Sequence, residues 1–339
     1  MTGAGRYAEL AAATRSFKAE LLQSGQLERL LETGSLSETV GAITGGHIGS
    51  VVESDLSPVE AYLTQNVIEL TERLSSYAPH DSRALIRLFA RYFEFECVKA
   101  ILSASAARVN ADEASRHIVP AGKFTPERCK DLIEAHNPAR VIESIEDEGF
   151  KRFLLPKITG EGTSIQTISA IDQYYYTKLW TASNLPDPLD AQSAKSLVGE
   201  AIDHVNILTA FRSRLMGLDA RTAATMMVPV NYGLSQSFDE LPDASNVQNV
   251  ARILEKTRYS NILDTSATLD AASVESALNR NHAKTCINTF AGSPFNVGLA
   301  LAFLFLKTYE LRDLFGLINA KANNLASEDV LKSMILYDR

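Results

Sequence analysis

Three acidic residues lie where helix capping cannot explain them. Glu94, Asp203 and Glu310 each sit inside a strongly apolar segment. Each is followed three and four positions later by a small polar residue and an aliphatic one: Cys97-Val98, Asn206-Ile207 and Asp313-Leu314. A carboxylate in such surroundings needs a cation or a set of hydrogen-bond donors, because a bare buried charge is strongly disfavoured. Arg91, His204 and Arg312 are the nearest basic candidates in sequence. Two roles follow. The acids could be internal braces joining helices, or, with Arg312, they could form a ring facing a central cavity. The second role is the convergence of acids that an enzymatic site would require.

Glu60 and Asp172 form a second repeated set. Ser57-Pro58-Val59-Glu60 and Ser169-Ala170-Ile171-Asp172 both place an acid three residues after a serine. That spacing predicts N-terminal capping boxes, in which the acid also complements the helix dipole. Glu275 falls at the related place but follows Ala272.

Other chemistry has no motif. The six histidines (His47, His80, His117, His136, His204 and His282) form neither HxxxH nor HExxH and do not pair with cysteine at ligand spacing. GxSxG, GxxxxGK[ST] and GxGxxG are absent. The glycine-rich run Thr44–Gly49 follows a helical segment and is expected to be a helix-terminating loop. Tyr174, Tyr175 and Tyr176 are expected to serve helix packing. No catalytic residue, cofactor or metal is therefore expected.

The elements that carry these residues read at helical period. LERLLETGSLSETVGAI, VEAYLTQNVIELTERL and VGEAIDHVNILTAFRSRLMGL place apolar residues three and four apart, and strict alternation is nearly absent. The fold class expected is all-α. The acid pattern recurs after 109 residues and again after 107. Pro79, Pro188 and Pro294 precede its three copies. Val59–Leu63, Ile171–Tyr175 and Val274–Leu278 form a second recurring pattern. Val40 and Ile43, Ile142 and Ile145, and Val250 and Ile253 form a third, and Pro120 and Pro229 open a fourth. Recurrence in one order at one period predicts related units, here over residues 1–115, 116–222 and 223–339. No Gly/Ser- or Pro-rich linker separates them, so one packed body is expected.

A chain of 339 residues, 45% hydrophobic and 22% charged, has ample material for a core. Its net charge of −8 and lack of a polybasic block argue against nucleic acid and anionic lipid as partners. Cys97, Cys129 and Cys286 form no CxxC, and their odd number argues against a disulfide framework and for a reducing cytoplasm. The longest apolar run, Val297–Leu306, is far short of the roughly 20 residues needed to span a bilayer. Membrane association would have to pass through a partner.

Several stretches are similar to one family. Tyr7, Arg15, Leu21-Leu22 and Leu27–Leu31 resemble the opening of the C subunit of archaeal-type ATP synthases, the counterpart of the d subunit of V-type ATPases. Ser293-Pro294-Phe295, Lys307 and Glu310-Leu311-Arg312-Asp313-Leu314 resemble that family's Pro-Phe, Lys and Glu-x-Arg-Asn-Leu signature. Asp203-His204-Val205-Asn206-Ile207 is similar to its Asp-x-x-Asn-Leu. Cys97 and Asp313 stand where the family often has Asn. The long aromatic N-terminal signature of the eukaryotic branch is missing.

The resemblance implies three helical units around a pseudo-threefold axis, shaped like a funnel. It implies a non-catalytic central-stalk rotor component on the cytoplasmic side of the membrane. One end would sit on the proteolipid rotor ring, and the cavity would take the tip of the central shaft formed by the D and F subunits. Torque would then pass between proton or sodium transport and nucleotide chemistry done elsewhere. The alternative is a helical repeat adaptor for soluble protein partners.

Overall fold

Helix order repeats along the chain. The computed structural model describes residues 3–48, 55–158, 165–263 and 269–336, and no β-strand occurs among them. After α1 (Gly3–Lys18) come two short helices, α2 (Ser24–Glu32) and α3 (Leu36–Thr44), then two long ones, α4 (Ser57–Tyr77) and α5 (His80–Ala107), then the short α6 (Ala111–Ser115). The same order follows in α7 (Pro126–Glu134), α8 (Pro138–Glu143), α9 (Glu148–Leu154), α10 (Ile165–Ala182), α11 (Pro188–Leu215) and α12 (Ala220–Met226), with α9 as an extra helix. It follows again in α13 (Ser237–Glu240), α14 (Val247–Leu254), α15 (Ala271–Thr289), α16 (Gly298–Ala322) and α17 (Ser327–Ser333). The boundary expected at 222/223 falls inside α12.

The starts and stops are chemical. Pro79 and Pro188 open α5 and α11 with a fixed φ and no N–H left to satisfy. Ser35, Thr125, Asn137, Asp187, Asp219, Asn246 and Asp270 accept hydrogen bonds from first-turn amides as N-caps. Gly45 ends α3 in the left-handed region at φ 62°. That accords with a terminating loop, although Gly49 lies outside the described residues. The turns after α5, α11 and α16 each contain one left-handed residue: Arg108, Gly217 and Asn324.

The six long helices pack in a closed cycle. α4 packs on α5, α5 on α10, α10 on α11, α11 on α15, α15 on α16, and α16 returns to α4. Ile86, Val98 and Ile101 of α5, Phe211 of α11 and Phe303 of α16 are fully buried in this cycle. The run Val297–Leu306 lies in α16, where nearly every side chain is buried.

The recurring acid pattern holds the loops. Asn206, fully buried, accepts from the Val228 amide at 2.7 Å and donates to the carbonyls of Val228 and Val230 at 3.1 and 3.2 Å. Asp313 accepts from the amides of Ile335 and Leu336 at 2.8 and 2.9 Å. Cys97 bonds the Ala121 backbone and lies 3.7 Å, sulfur to sulfur, from Cys129 as a free thiol. These three residues therefore grip the chain as it leaves α6, α12 and α17.

The acids three residues earlier grip the next loop. Asp203 accepts from the Tyr232 amide at 3.2 Å, the Gly233 amide at 2.6 Å and the Tyr259 hydroxyl at 2.7 Å. Glu94 packs against Gly122 so closely that a Cβ there would strike its carboxylate. Gly122 has φ +58°, the left-handed region that favours glycine. Glu310 accepts from the Leu22 amide at 2.6 Å, reaching across 288 residues to the loop before α2, and also pairs with Lys307. Asp203 and Glu310 thus hold the approach to a following set of helices, Glu310 returning to the first, and Glu94 packs against the corresponding loop.

The capping boxes expected at Glu60 and Asp172 do not form. Leu56, not Ser57, occupies the N-cap of α4, and the Ser57 hydroxyl donates to Asp55. Asp172 lies well inside α10. The carboxylates instead bond across helix seams. Glu60 accepts from Asn319 of α16 at 3.1 Å, Asp172 from Lys99 of α5 at 2.8 Å, and Glu275 from Arg212 of α11 at 2.7 Å.

Replacing Asn206 with Leu strands a buried amide and two carbonyls. Each unsatisfied buried group costs about 1–3 kcal/mol. The expected loss of stability is about 3 kcal/mol or more, read as a lowered urea midpoint. A loss below about 1 kcal/mol would contradict the clamp, given that per-group cost.

Candidate functional site

The cycle of long helices leaves a concavity on its inner side. It is a cavity of about 110 Å³ bounded by α5, α10, α11, α15 and α16. Helical spacing sets its layers, because residues seven or eight apart on one helix share a face about 10–12 Å apart along the axis. Lys99, Arg212 and Arg312 share one level, the outer, and of the three Arg312 lines the cavity itself. Tyr92, His204 and Phe305, seven or eight residues earlier on the same helices, occupy the inner one.

The outer level is charged and internally paired. Arg312 bonds Glu275 at 3.1 Å, and Arg212 bonds the same carboxylate from the other side at 2.7 Å. Lys99 bridges Glu96 at 2.6 Å and Asp172 at 2.8 Å. Burial alone would lower the Lys99 pKa, but Asp172 and Glu96 together outweigh it and raise the value. These pairs are partly solvated, so each contributes modestly to stability. Their larger effect is to fix the side chains of one rim.

The inner level is aromatic. Phe89 meets Phe305 and Tyr175 meets Tyr176 edge to face, at 4.8 and 5.0 Å, and Tyr92 and Tyr175 lie tilted at 5.5 Å. Burial pushes Tyr92 up to about 12, with Glu96 adding to the shift. Behind this wall His282 is fully buried and bonds the Tyr309 hydroxyl at 2.7 Å and the Leu197 carbonyl at 3.0 Å. Nε2 must therefore carry the proton and Nδ1 accept. Burial lowers the His282 pKa to about 4, and the Leu197 carbonyl only partly opposes this. Burial also drives His204 well below its ordinary value, with His282 and Arg258 contributing.

A buried carboxylate lies beside them. Glu200 accepts from Asn281 at 2.7 Å and Thr285 at 3.1 Å, and pairs with Arg258 at 3.4 Å. Burial raises its pKa and the surrounding donors oppose the rise. The network ties α11 to α15.

Of the four residues expected from sequence to mark an interface or cavity, Arg312 lies at the rim. Glu94, Asp203 and Glu310 do not meet one another: Asp203 and Glu310 accept from loop amides, Glu94 packs against Gly122, and Glu310 lines a separate cavity with Leu22 and Lys307. Arg91, expected as a partner for Glu94, stands 3.5 Å from it and bonds Asp147 more closely, at 2.9 Å. His204 makes no bond to Asp203. Sequence reasoning missed Glu275 in the cavity lining, and the ion pairs of Arg212 with Glu275 and of Lys99 with Asp172. The recurrence of Glu60, Asp172 and Glu275 was a signal for part of it. Among the described residues no group of His, Cys, Asp and Glu could hold a metal ion.

These features define a class: an all-helical scaffold closed around a concavity whose charged groups are paired with one another. The ATP synthase (C/AC39) subunit family matches residues 10–333, and the chain belongs to that family. It is similar to the A-type ATP synthase C subunit of Methanocaldococcus jannaschii, 24% identical over 97% of this chain and 86% of the relative. The same-named protein of Methanosphaera stadtmanae is 24% identical over 94% and 84%, and that of Pyrococcus abyssi 22% over 88% and 82%. Among the described residues no helix is long and apolar enough to cross a membrane.

The buried histidines make a pH prediction. A histidine whose folded pKa lies below its unfolded value binds its proton only after unfolding. For His282 stability is fully present above about pH 6.5 and is lost as pH falls toward about 4. The slope is about 1.4 kcal/mol per pH unit for each such proton. His282→Gln is expected to flatten the wild-type dependence by one proton's slope in denaturant titrations across that window. Identical slopes in the two proteins would contradict the assignment.

Proposed function

We propose that this chain is the non-catalytic rotor component of the central stalk of an A/V-type ATPase. One end docks on the proteolipid ring, and the concavity takes the end of the shaft built by the D and F subunits. Docking is on the cytoplasmic side of the membrane and proceeds through partners. The three sets of helices, near residues 1–115, 116–222 and 223–339, would stand around a pseudo-threefold axis as a funnel. Torque would pass through the chain, while nucleotide chemistry happens on other subunits.

The observation that carries this reading is the closed cycle of six long helices around a paired-charge rim. A torque adaptor must resist shear between its two docking faces. A cycle bonded at its seams by side chains from neighbouring helices resists it better than an open stack, because no free edge can splay. Family membership supports the same role.

Two measurements test it. Tagged protein mixed with detergent-solubilised membranes is expected to retain the proteolipid ring, the shaft subunits and the nucleotide-binding subunits, identified by mass spectrometry. Recovery of soluble proteins alone would instead support an adaptor for soluble partners. The double charge reversal Arg212→Glu with Arg312→Glu places three carboxylates at one rim position. It is expected to weaken assembly at least about tenfold while the helical circular dichroism of the free chain stays unchanged. Undiminished assembly would remove the rim from the interface.

A further inference from the structure

The first of the three repeated loops is held less firmly than the other two. Asn206 bonds one amide and two carbonyls of the segment after α12, and Asp203 takes the amides of Tyr232 and Gly233. Asp313 takes the amides of Ile335 and Leu336. At the matching place in α5 stands Cys97, which reaches the Ala121 backbone through sulfur, a weak hydrogen-bonding atom. Glu94, where Asp203 stands in α11, packs against Gly122 and pairs with Arg91.

A second thiol faces Cys97. Cys129 lies on α7, the helix into which this loop leads, and α7 packs directly on α5. The two sulfurs are 3.7 Å apart, in van der Waals contact, and both are buried free thiols. A disulfide bond is about 2.0 Å long, so the sulfurs need to close by only about 1.7 Å. The hydrogen bond with Cys97 holds the Cys129 thiol below its ordinary range, and Arg128 adds to the shift. That makes Cys129 the better attacking sulfur near neutral pH. Cys286 lies on α15 and faces His282 instead.

We propose that Cys97 and Cys129 form a site of oxidative modification, closing a disulfide that ties α5 to α7 at the expense of a low-molecular-weight disulfide of the glutathione class. The Cys129 thiolate attacks one sulfur of the small disulfide, breaks its S–S bond and releases one small thiolate. Cys97 then gives up its proton and attacks the Cys129 sulfur of the mixed disulfide, releasing the second small thiolate. The protons from the two cysteines pass to the two released thiolates. Two protein thiols are oxidised, and one small disulfide is reduced to two thiols. Both cysteines are buried in the folded chain, so exchange takes place while α7 is undocked, during folding or local opening. The link joins residues 32 apart and restrains the first loop covalently, where Asn206 and Asp313 restrain the others by hydrogen bonds. It leaves Cys286 as a single thiol, which accords with three cysteines. The site is independent of the stalk role and is tested on the free chain.

The reduced full chain, refolded from urea, is equilibrated with mixtures of reduced and oxidised glutathione, and a second sample is equilibrated in urea. Both are then alkylated and mapped by mass spectrometry without reduction. In the refolded chain the main linked pair is expected to be Cys97 with Cys129, with Cys286 alkylated. The equilibrium constant for closing the link is expected to be at least about tenfold larger in the refolded chain than in urea, because a link that fits the fold is stabilised by it. Deuterium exchange of the amides of residues 121–124 is expected to be at least about tenfold slower in the linked chain than in the reduced one. An equal or smaller constant in the refolded chain, glutathione retained on either cysteine in place of the link, a link through Cys286, or unchanged amide exchange would each overturn the proposal. Every comparison uses the wild-type chain, so none depends on a variant that folds.

Discussion

A closed cycle of helices has to satisfy backbone amides at every place where the chain passes from one set of helices to the next. The loops there carry N–H groups that no helix can use, and they lie against apolar neighbours where water cannot serve them. The fold solves this with side chains three residues apart on the second long helix of each set. Asp203 and Asn206 between them bond three amides and two carbonyls of the Val228–Gly233 segment. Glu310 and Asp313 bond three amides from both ends of the chain, at Leu22, Ile335 and Leu336. The second case joins the first helices to the last. It fixes the segment between α1 and α2 to α16, next to the seam where α16 meets α4.

That constraint explains why the acid pattern could be read from sequence. Residues that must grip successive loops keep a fixed spacing, and 109 and 107 residues separate the three copies. The all-α class was legible for an equally physical reason, since amphipathic periodicity is written in every long helix. The recurrences pointed to three related units, and the order of short and long helices within each emerged only from the fold. Of Glu94, Asp203 and Glu310, the last two accept hydrogen bonds from loop amides, while Glu94 packs against Gly122 and pairs with Arg91.

The rim and floor of the concavity were less legible. Asp172 carries a serine three residues earlier, which is the signature of a cap, yet its partner is Lys99, 73 residues away on a different helix. Local spacing cannot distinguish a carboxylate bonded to its own helix from one bonded across a seam. Arg212 and Glu275 have ordinary surface neighbours in sequence and gain meaning only when α11 meets α15. Tyr174, Tyr175 and Tyr176 do not share one surrounding, because successive helical residues differ by about 100°. Only the packed helices reveal that Tyr175 and Tyr176 face the cavity, and that Tyr174 bonds Asp147.

Charge pairing and aromatic lining together give the concavity the character of a socket, with its polar groups oriented before any partner arrives. Pre-oriented groups lose little conformational entropy on docking. The most direct measurement is an electron cryo-microscopy map of the intact complex containing this chain. The account predicts the chain between shaft and membrane ring, with protein density entering the concavity past Arg212, Glu275 and Arg312, and with Glu310 still bonded to Leu22. A chain found on the stationary periphery of the complex, or a concavity facing solvent, would contradict it.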